Sequence, residues 1–315
     1  MTEPCDLTAV DRPGLQQLAT AFVVHERTTD DALRSAVTVM CASHPQQPEQ
    51  PPAPSTLMGV QWAPVMPAGG GLAEWEQRTG HPADVIRCFP AGKTGVDGLK
   101  AAKAAAAARP GVPLVVSSLV TGRGVDLVAL AQAHQALAVG TGARVWAIMD
   151  AEPEHERGRG YTEAQFCATY TQWVAAHEKY APDVECRILN LTGYQFAQRI
   201  DRFASIHGDL AIVAVDPYWR AGKPSAIQAS ERDLADAVDW ATSRSLPTAW
   251  GEWGCDPGAG AEDRIARAFA AIADYQPVFA PYLQLVGAWD HKLVADSEFA
   301  AYRAGLDRLA DTQGA

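Results

Sequence analysis

Along the chain, short runs of apolar residues alternate with longer stretches in which apolar positions recur every three to four residues. The short runs have the length of strands, and the longer stretches have the period of helices packed on one face. From residue 57 this alternation repeats eight times. Strands are expected at 57–62, 85–89 and 113–118, in a run from 145 that ends at Glu152, at 184–190 and 210–216, in a run that ends at Glu252, and at 283–289. Helices are expected at 72–78, 99–108, 125–139, 162–180, 194–204, 230–244, 261–275 and from Asp296 onward. The strands are almost wholly apolar, so they should be buried on both faces. That is the habit of parallel strands joined by helical crossovers. Eight units in about 260 residues match the α/β (β/α)8 TIM barrel. A doubly wound open sheet is the alternative, and it would call for a phosphate-binding signature at an early turn.

Ahead of the barrel, residues 1–43 carry two helical patterns. Leu15, Leu18, Phe22 and Val23 share one face of the first, and Leu33, Val37 and Met40 follow a Thr28-Thr29-Asp30-Asp31 cap in the second. A hairpin of this size buries little by itself, so it should dock on the barrel, on a sister subunit or on another protein. Residues 44–56 contain Pro45, Pro48, Pro51, Pro52 and Pro54, which favour an extended linker and mark a domain boundary. The domains are then 1–43, a helical docking or assembly hairpin; 44–56, the linker; and 57–315, the barrel.

Composition removes several functions. The 315 residues are 48% hydrophobic and 20% charged, with a net charge of −11. An acidic surface argues against nucleic acid or anionic membrane as partner. The apolar runs are too short to insert into a membrane. The six cysteines are scattered with no C-x-x-C pair, so Cys88, Cys167 and Cys186 read as buried free thiols. Gly92-Lys93-Thr94 lacks the upstream glycine of a P-loop, since Arg87 holds that position. Strand one carries no His-x-His and no other ligand set is evident, so neither a metal nor an organic cofactor is expected.

The candidate chemistry lies in two carboxylates. Glu152 and Glu252 each end a strand, the fourth and the seventh, and barrel enzymes use the side chains at the C-terminal ends of their strands. Retaining glycoside hydrolysis needs one carboxylic acid to protonate the leaving oxygen and one carboxylate to attack the anomeric carbon. Trp62, Trp219, Trp250, Trp253 and Trp289 fall at predicted strand ends, where indole faces could stack on sugar rings; the alternative is that some only fill the top of the barrel. Trp146 lies mid-strand and should be filler.

The order of these features resembles the clan A glycoside hydrolases, particularly the mannanase-like family 26 and related actinobacterial or phage proteins. The resemblance covers about residues 57–292. It rests on Arg87 in Ile-Arg-Cys-Phe, Glu152 in Ala-Glu-Pro-Glu, Asp216-Pro-Tyr218, Glu252 in Gly-Glu-Trp-Gly, and Trp289 in Ala-Trp-Asp. It implies Glu152 as acid/base, Glu252 as nucleophile, Arg87 and Tyr218 as groups that hold the nucleophile, and Trp289 as the floor of the sugar site. Asp216, Trp62, Trp219 and Trp253 complete the expected substrate-binding set. The family usually has Asn or His before the acid/base, where this chain has Ala151.

The expected activity is therefore retaining hydrolysis of a β-linked polysaccharide. Arg87 should lie within hydrogen-bond reach of Glu252 and lower its pKa, and Glu152, with no evident cation nearby, should have the higher one. No secretory signal opens the chain. A polysaccharide hydrolase without one points to a phage tail, with the hairpin joining the barrel to other virion proteins, or else to a cytoplasmic protein. A non-catalytic barrel that binds cell-wall glycan or only builds the virion is the rival, and Ala151 favours it.

Overall fold

The computed structural model describes residues 56–62, 72–90, 92–154, 160–194, 196–222, 224–283 and 293–313, with the backbone alone for 224–230. All belong to one compact unit, Ser55–Ala315. The hairpin 1–43, nearly all of the linker and Trp289 lie outside the described residues.

Eight parallel strands alternate with helices. They are β1 (Leu57–Gln61), α1 (Leu72–Thr79), β2 (Val85–Cys88), α2 (Lys100–Ala108), β3 (Leu114–Ser118), α3 (Leu127–Thr141), β4 (Val145–Met149) and α4 (Glu163–Tyr180). There follow β5 in two pieces (Val184–Glu185 and Ile188–Thr192), α5 (Phe196–Arg199, continued as a 3-10 helix, Ile200–Asp209), β6 (Ile212–Asp216), α6 (Pro224–Thr242), β7 (Thr248–Trp250), α7 (Ala261–Tyr275), β8 (Phe279–Tyr282) and α8 (Asp296–Gln313).

The strands close on themselves. Six are laddered in the order β8-β1-β2-β3-β4 and the first piece of β5, the second piece of β5 is laddered to β6, and β6 to β7. Two seams complete the ring. The Glu152 N–H donates to Asn190 O at 2.9 Å across the β4–β5 seam. The Val278 N–H donates to Thr248 O at 2.9 Å, and Leu283 N–H to Trp253 O at 2.7 Å, across the β7–β8 seam. The result is a closed (β/α)8 barrel.

The strands are buried on both faces, as their continuous apolar runs require. One set of alternate side chains points inward: Val85, Val115, Trp146, Ile148, Ile188, Ile212, Ala214, Ala249 and Phe279 form the barrel interior. Trp146 is filler, packed on Phe279 at 5.0 Å between ring centroids. The other set, including Ile86, Val116, Ala147, Leu189 and Val213, packs under the helices. Helix starts follow local chemistry. Asp126 caps α3 by accepting from the N–H groups of Val128 and Ala129, each at 3.0 Å. Thr162 and Gln165 form a reciprocal capping box at α4.

Several boundaries differ from the sequence expectation, and β4 and β7 end at Met149 and Trp250 rather than at Glu152 and Glu252. The eighth barrel strand is Phe279–Tyr282, in register with Leu57–Val60 of β1, and the run expected at 284–289 lies outside the described residues. Helix α6 starts at Pro224, six residues before 230, with proline in the first turn where its missing N–H costs nothing. The fifth strand breaks at Cys186-Arg187, where it changes neighbours and Arg187 O accepts from both Ala211 and Ile212. Cys88, Cys167, Cys186 and Cys255 are free and buried. No helix among the described residues is long and apolar enough to cross a membrane.

Helices α7 and α8 meet at Gly305, where an added Cβ would lie 2.3 Å from Cδ2 of Phe269. That ring is wedged edge-on against Trp253 and Tyr302, so it has little room to yield. Gly305→Ala should cost about 1–3 kcal/mol and lower Tm by roughly 3–10 °C. An unchanged thermal midpoint by calorimetry would mean that the two helices are not in this close contact.

Candidate active site

The alternation that fills the barrel with apolar residues ends in polar ones. Two residues beyond each inward apolar residue stand Arg87 (after Val85), Ser117 (after Val115), Asn190 (after Ile188) and Asp216 (after Ala214). All four are at most 3% exposed; Arg87, Ser117 and Asp216 lie in the C-terminal halves of their strands and Asn190 in the middle of the second piece of β5. This layer is the floor on which the two glutamates sit.

Glu152 lies three residues past the end of β4, in a loop with unusual backbone. Asp150 and Glu152 both have positive φ, 42° and 54°, a conformation that costs a non-glycine residue on the order of 1 kcal/mol. Buried hydrogen bonds hold it there. The Asp150 carboxylate accepts from the N–H groups of Val120 and Thr121 at 2.9 and 2.8 Å. The Glu152 N–H is tied to Asn190 O, as described.

Glu252 lies two residues past β7. Its N–H donates to Asp216 Oδ1 at 2.9 Å, and Asn190 Nδ2 donates to Asp216 Oδ2 at 2.7 Å. Gly251 permits this approach, since a Cβ there would fall 1.7 Å from Asn190 Oδ1 and 2.6 Å from Asp216 Oδ1. The Tyr218 hydroxyl donates to Glu252 Oε1. A continuous chain of bonds thus runs from the Glu152 backbone through Asn190 and Asp216 to the Glu252 backbone.

The electrostatics correct one expectation. The Glu252 carboxyl is pushed up to about 7, not down. Burial is the largest cause and the negative charge of Glu152 the next; Arg87 and the Tyr218 hydrogen bond pull the other way. Arg87 is fully buried but does not hydrogen-bond Glu252. Its Nη2 donates to Ser117 Oγ at 2.8 Å and its guanidinium lies 4.4 Å from the Phe89 ring centroid. It acts on Glu252 and Asp216 as a nearby charge. The Asp216 carboxyl is held well above the usual range by burial first, then by Glu252 and Glu152. The charge of Glu152 contributes to the upward shifts of both Glu252 and Asp216, so the two glutamates occupy one site.

The aromatic residues divide. Trp62 is half-buried, packed against the outer core. Trp219 and Trp253 do not form an open rim: they are 1% and 0% exposed and pack on each other and on Trp250, with centroids 5.5–6.2 Å apart. Their faces are covered by protein, and the Trp253 indole N–H is taken by Ala280 O at 2.9 Å. Sequence reasoning overlooked Ser117, Asn190 and Glu154. A polar residue closing an otherwise apolar strand was the available signal for the first two.

Comparison with known proteins bears on the fold. No protein-family model and no curated protein sequence matches the chain. Solved structures do. An endo-β-1,4-mannanase of glycoside hydrolase family 26 from Cellulomonas fimi is similar with a TM-score of 0.58 at 15% identity, over 80% of this chain and 70% of that one. A GH26 β-mannanase from Bacteroides ovatus gives 0.57 at 9% identity, over 82% and 89%. XacCel5A gives 0.57 at 10% identity, over 80% and 99%.

The chain shares the fold of the clan A barrel hydrolases. At these identities the likeness is one of fold, and the site must be argued from its own residues.

A carboxylic acid whose folded pKa is raised keeps its proton in the native state after the unfolded chain has lost it. Between about 4.5 and 7, stability should therefore fall as pH rises through the window set by Glu252. Glu252→Gln keeps an acceptor for Tyr218 and removes the charge. It should melt at a higher temperature than wild type at pH 8, by about 5 °C, and no higher at pH 4. Equal melting of the two proteins at pH 8 would show that Glu252 ionises there at no cost.

Proposed function

We propose that the protein is a retaining glycoside hydrolase acting on a β-linked polysaccharide, with Glu152 as acid/base and Glu252 as nucleophile. The observation that carries this reading is one half-buried site in which the charge of Glu152 raises the proton affinity of Glu252 while one hydrogen-bonded chain fixes both backbones. Similarity to mannanases supports it at the level of fold.

In the first step Glu252 attacks the anomeric carbon as Glu152 gives its proton to the departing oxygen. In the second, Glu152 takes a proton from water, which displaces Glu252. The raised pKa of Glu252 belongs to a site where both carboxyls compete for protons. Arg87 and Tyr218 favour the charge on Glu252, the form that attacks. As charge leaves Glu252 for the sugar, Glu152 can take on the charge left by its departing proton without repulsion from Glu252.

The specific feature on the side of a non-catalytic, glycan-binding barrel is Ala151, which offers no side-chain hydrogen bond to a sugar. Hydrolysis of a panel of β-mannans, β-glucans and cell-wall glycans separates the two readings. Wild type should cleave at least one, and Glu252→Gln should lose about 10⁴-fold or more in kcat while still binding it. Glu152→Ala should spare substrates with good leaving groups, and azide should rescue its second step. Equal cleavage by wild type and Glu252→Gln would refute the assignment.

Residues 1–43 are read as a docking segment for a larger assembly, such as a virion. Leu15, Leu18, Phe22, Leu33 and Val37 recur at helical spacing in the sequence and would need a cover. Deleting residues 1–50 should leave a folded, soluble barrel; aggregation of the truncated protein would make the segment part of the barrel core.

A further inference from the structure

Among the described residues, one large aromatic side chain stands open to water: Tyr194, at 57% exposure. Single exposed apolar side chains are ordinary on any surface, and Val96, Val128, Val139 and Val294 are of that kind. The place and the mounting of Tyr194 set it apart. It is the second residue past β5, on the C-terminal face of the barrel, where the loops of Glu152 and Glu252 also stand. The segment that carries it is bonded to both neighbours. The Thr192 N–H donates to Glu154 Oε1 at 2.6 Å, which ties it to the loop of Glu152. The Gly193 N–H donates to Asp216 O at 3.2 Å, which ties it to the end of β6. The Tyr194 N–H donates to Thr192 Oγ1 at 3.2 Å. The Arg199 guanidinium lies 5.6 Å from the Tyr194 ring centroid, on a side chain only 17% exposed that also reaches Glu154 Oε1 at 3.5 Å. The ring is thus fixed through its backbone and backed by a half-buried side chain, while more than half of the residue's surface meets water.

We propose that Tyr194 is the platform for a sugar on the leaving-group side of the cleaved bond. The C–H face of a pyranose can pack on an aromatic ring, and a ring already held in place loses little freedom when it does so. Trp219, Trp250 and Trp253 are too deeply covered to serve in this way. The side follows from the neighbours. Glu152 is the group that reaches the departing oxygen, and Tyr194 follows the strand next to β4 and is bonded to the Glu152 loop through Glu154. Glu252 follows β7, two strands further round the ring. The inference therefore rests on Glu152 being the acid/base. A platform on this side adds affinity only for a substrate that continues beyond the cleaved bond, so it selects glycan chains over small glycosides.

Tyr194→Ala removes the ring at an exposed position, and Tyr194→Phe keeps it. Hexasaccharides of β-1,4-mannose, β-1,4-glucose and β-1,3-glucose are compared with the matching β-glycosyl fluorides, which carry no sugar on the leaving side. Tyr194→Ala should lower the ratio of kcat/KM on the cleaved hexasaccharide to that on its fluoride about tenfold, and Tyr194→Phe should restore it. An equal loss on both substrates, or no loss on either, would overturn the proposal and leave hydrolysis standing. A loss that persists in Tyr194→Phe would make the hydroxyl the contact and overturn stacking. Binding separates the platform from the reaction. In a Glu252→Gln background, Tyr194→Ala should weaken hexasaccharide affinity about tenfold by titration calorimetry. That weakening, in a protein whose wild type cleaves nothing, would keep the platform and reject hydrolysis and with it the leaving-group role. Binding of none of the three hexasaccharides would overturn both.

Discussion

The negative charge of Glu152 bears on Glu252 in a half-buried site, and the upper layer of this barrel manages that repulsion. Charge at the mouth cannot be screened by water as it would be on a surface, so each carboxylate raises the proton affinity of the next. Glu252, Glu154 and Asp216 are all shifted upward, with burial as the first cause in every case. Arg87 is the buried cation that opposes this for Glu252 and Asp216, and Arg199 does so for Glu154. The site is built to hold fewer charges than carboxylates.

The costs of this arrangement are local and the support for it is distributed. Two non-glycine residues with positive φ, a buried guanidinium and a buried aspartate would each destabilise an isolated loop. They persist because the strands below are packed on both faces and the loops are bonded to one another. Asn190 belongs to the strand next to β4, yet its carbonyl fixes the Glu152 loop and its amide holds Asp216, which fixes the Glu252 loop. Trp219, Trp250 and Trp253 also serve this end. They clamp the β7 region from outside the barrel rather than meeting a ligand.

Much of this is legible in the sequence, and what is not has identifiable causes. Eight continuous apolar runs separated by helical periods specify a parallel barrel, and the position of Glu152 and Glu252 just past two of those runs marks the mouth. Phe279–Tyr282 was not legible as a strand, because the proline in Phe-Ala-Pro-Tyr weakens its strand signal; its register with β1 selects it. The direction of the Glu252 shift was not legible either. A sequence shows that an arginine is near in the fold's usual order, but whether it bonds the carboxylate or Ser117 depends on a side-chain path across three strands. Tryptophans at strand ends look alike in sequence whether they face the cleft or the helices, since one residue of extra loop reverses the face. Asn190 and Ser117 could have been read from parity, as polar residues that close apolar strands.

The most direct test of the central claim, that Glu152 and Glu252 work from opposite sides on one glycosidic bond, is to trap the covalent intermediate. A 2-deoxy-2-fluoro β-glycoside of the sugar that the protein cleaves, bearing a good leaving group, should inactivate it with a stoichiometric label. Mass spectrometry of the digested protein should place the label on the peptide carrying Glu252, and competing substrate should slow the labelling. A label on Glu152 or Glu154, or steady turnover of the parent glycan with inversion at the anomeric carbon, would contradict the account.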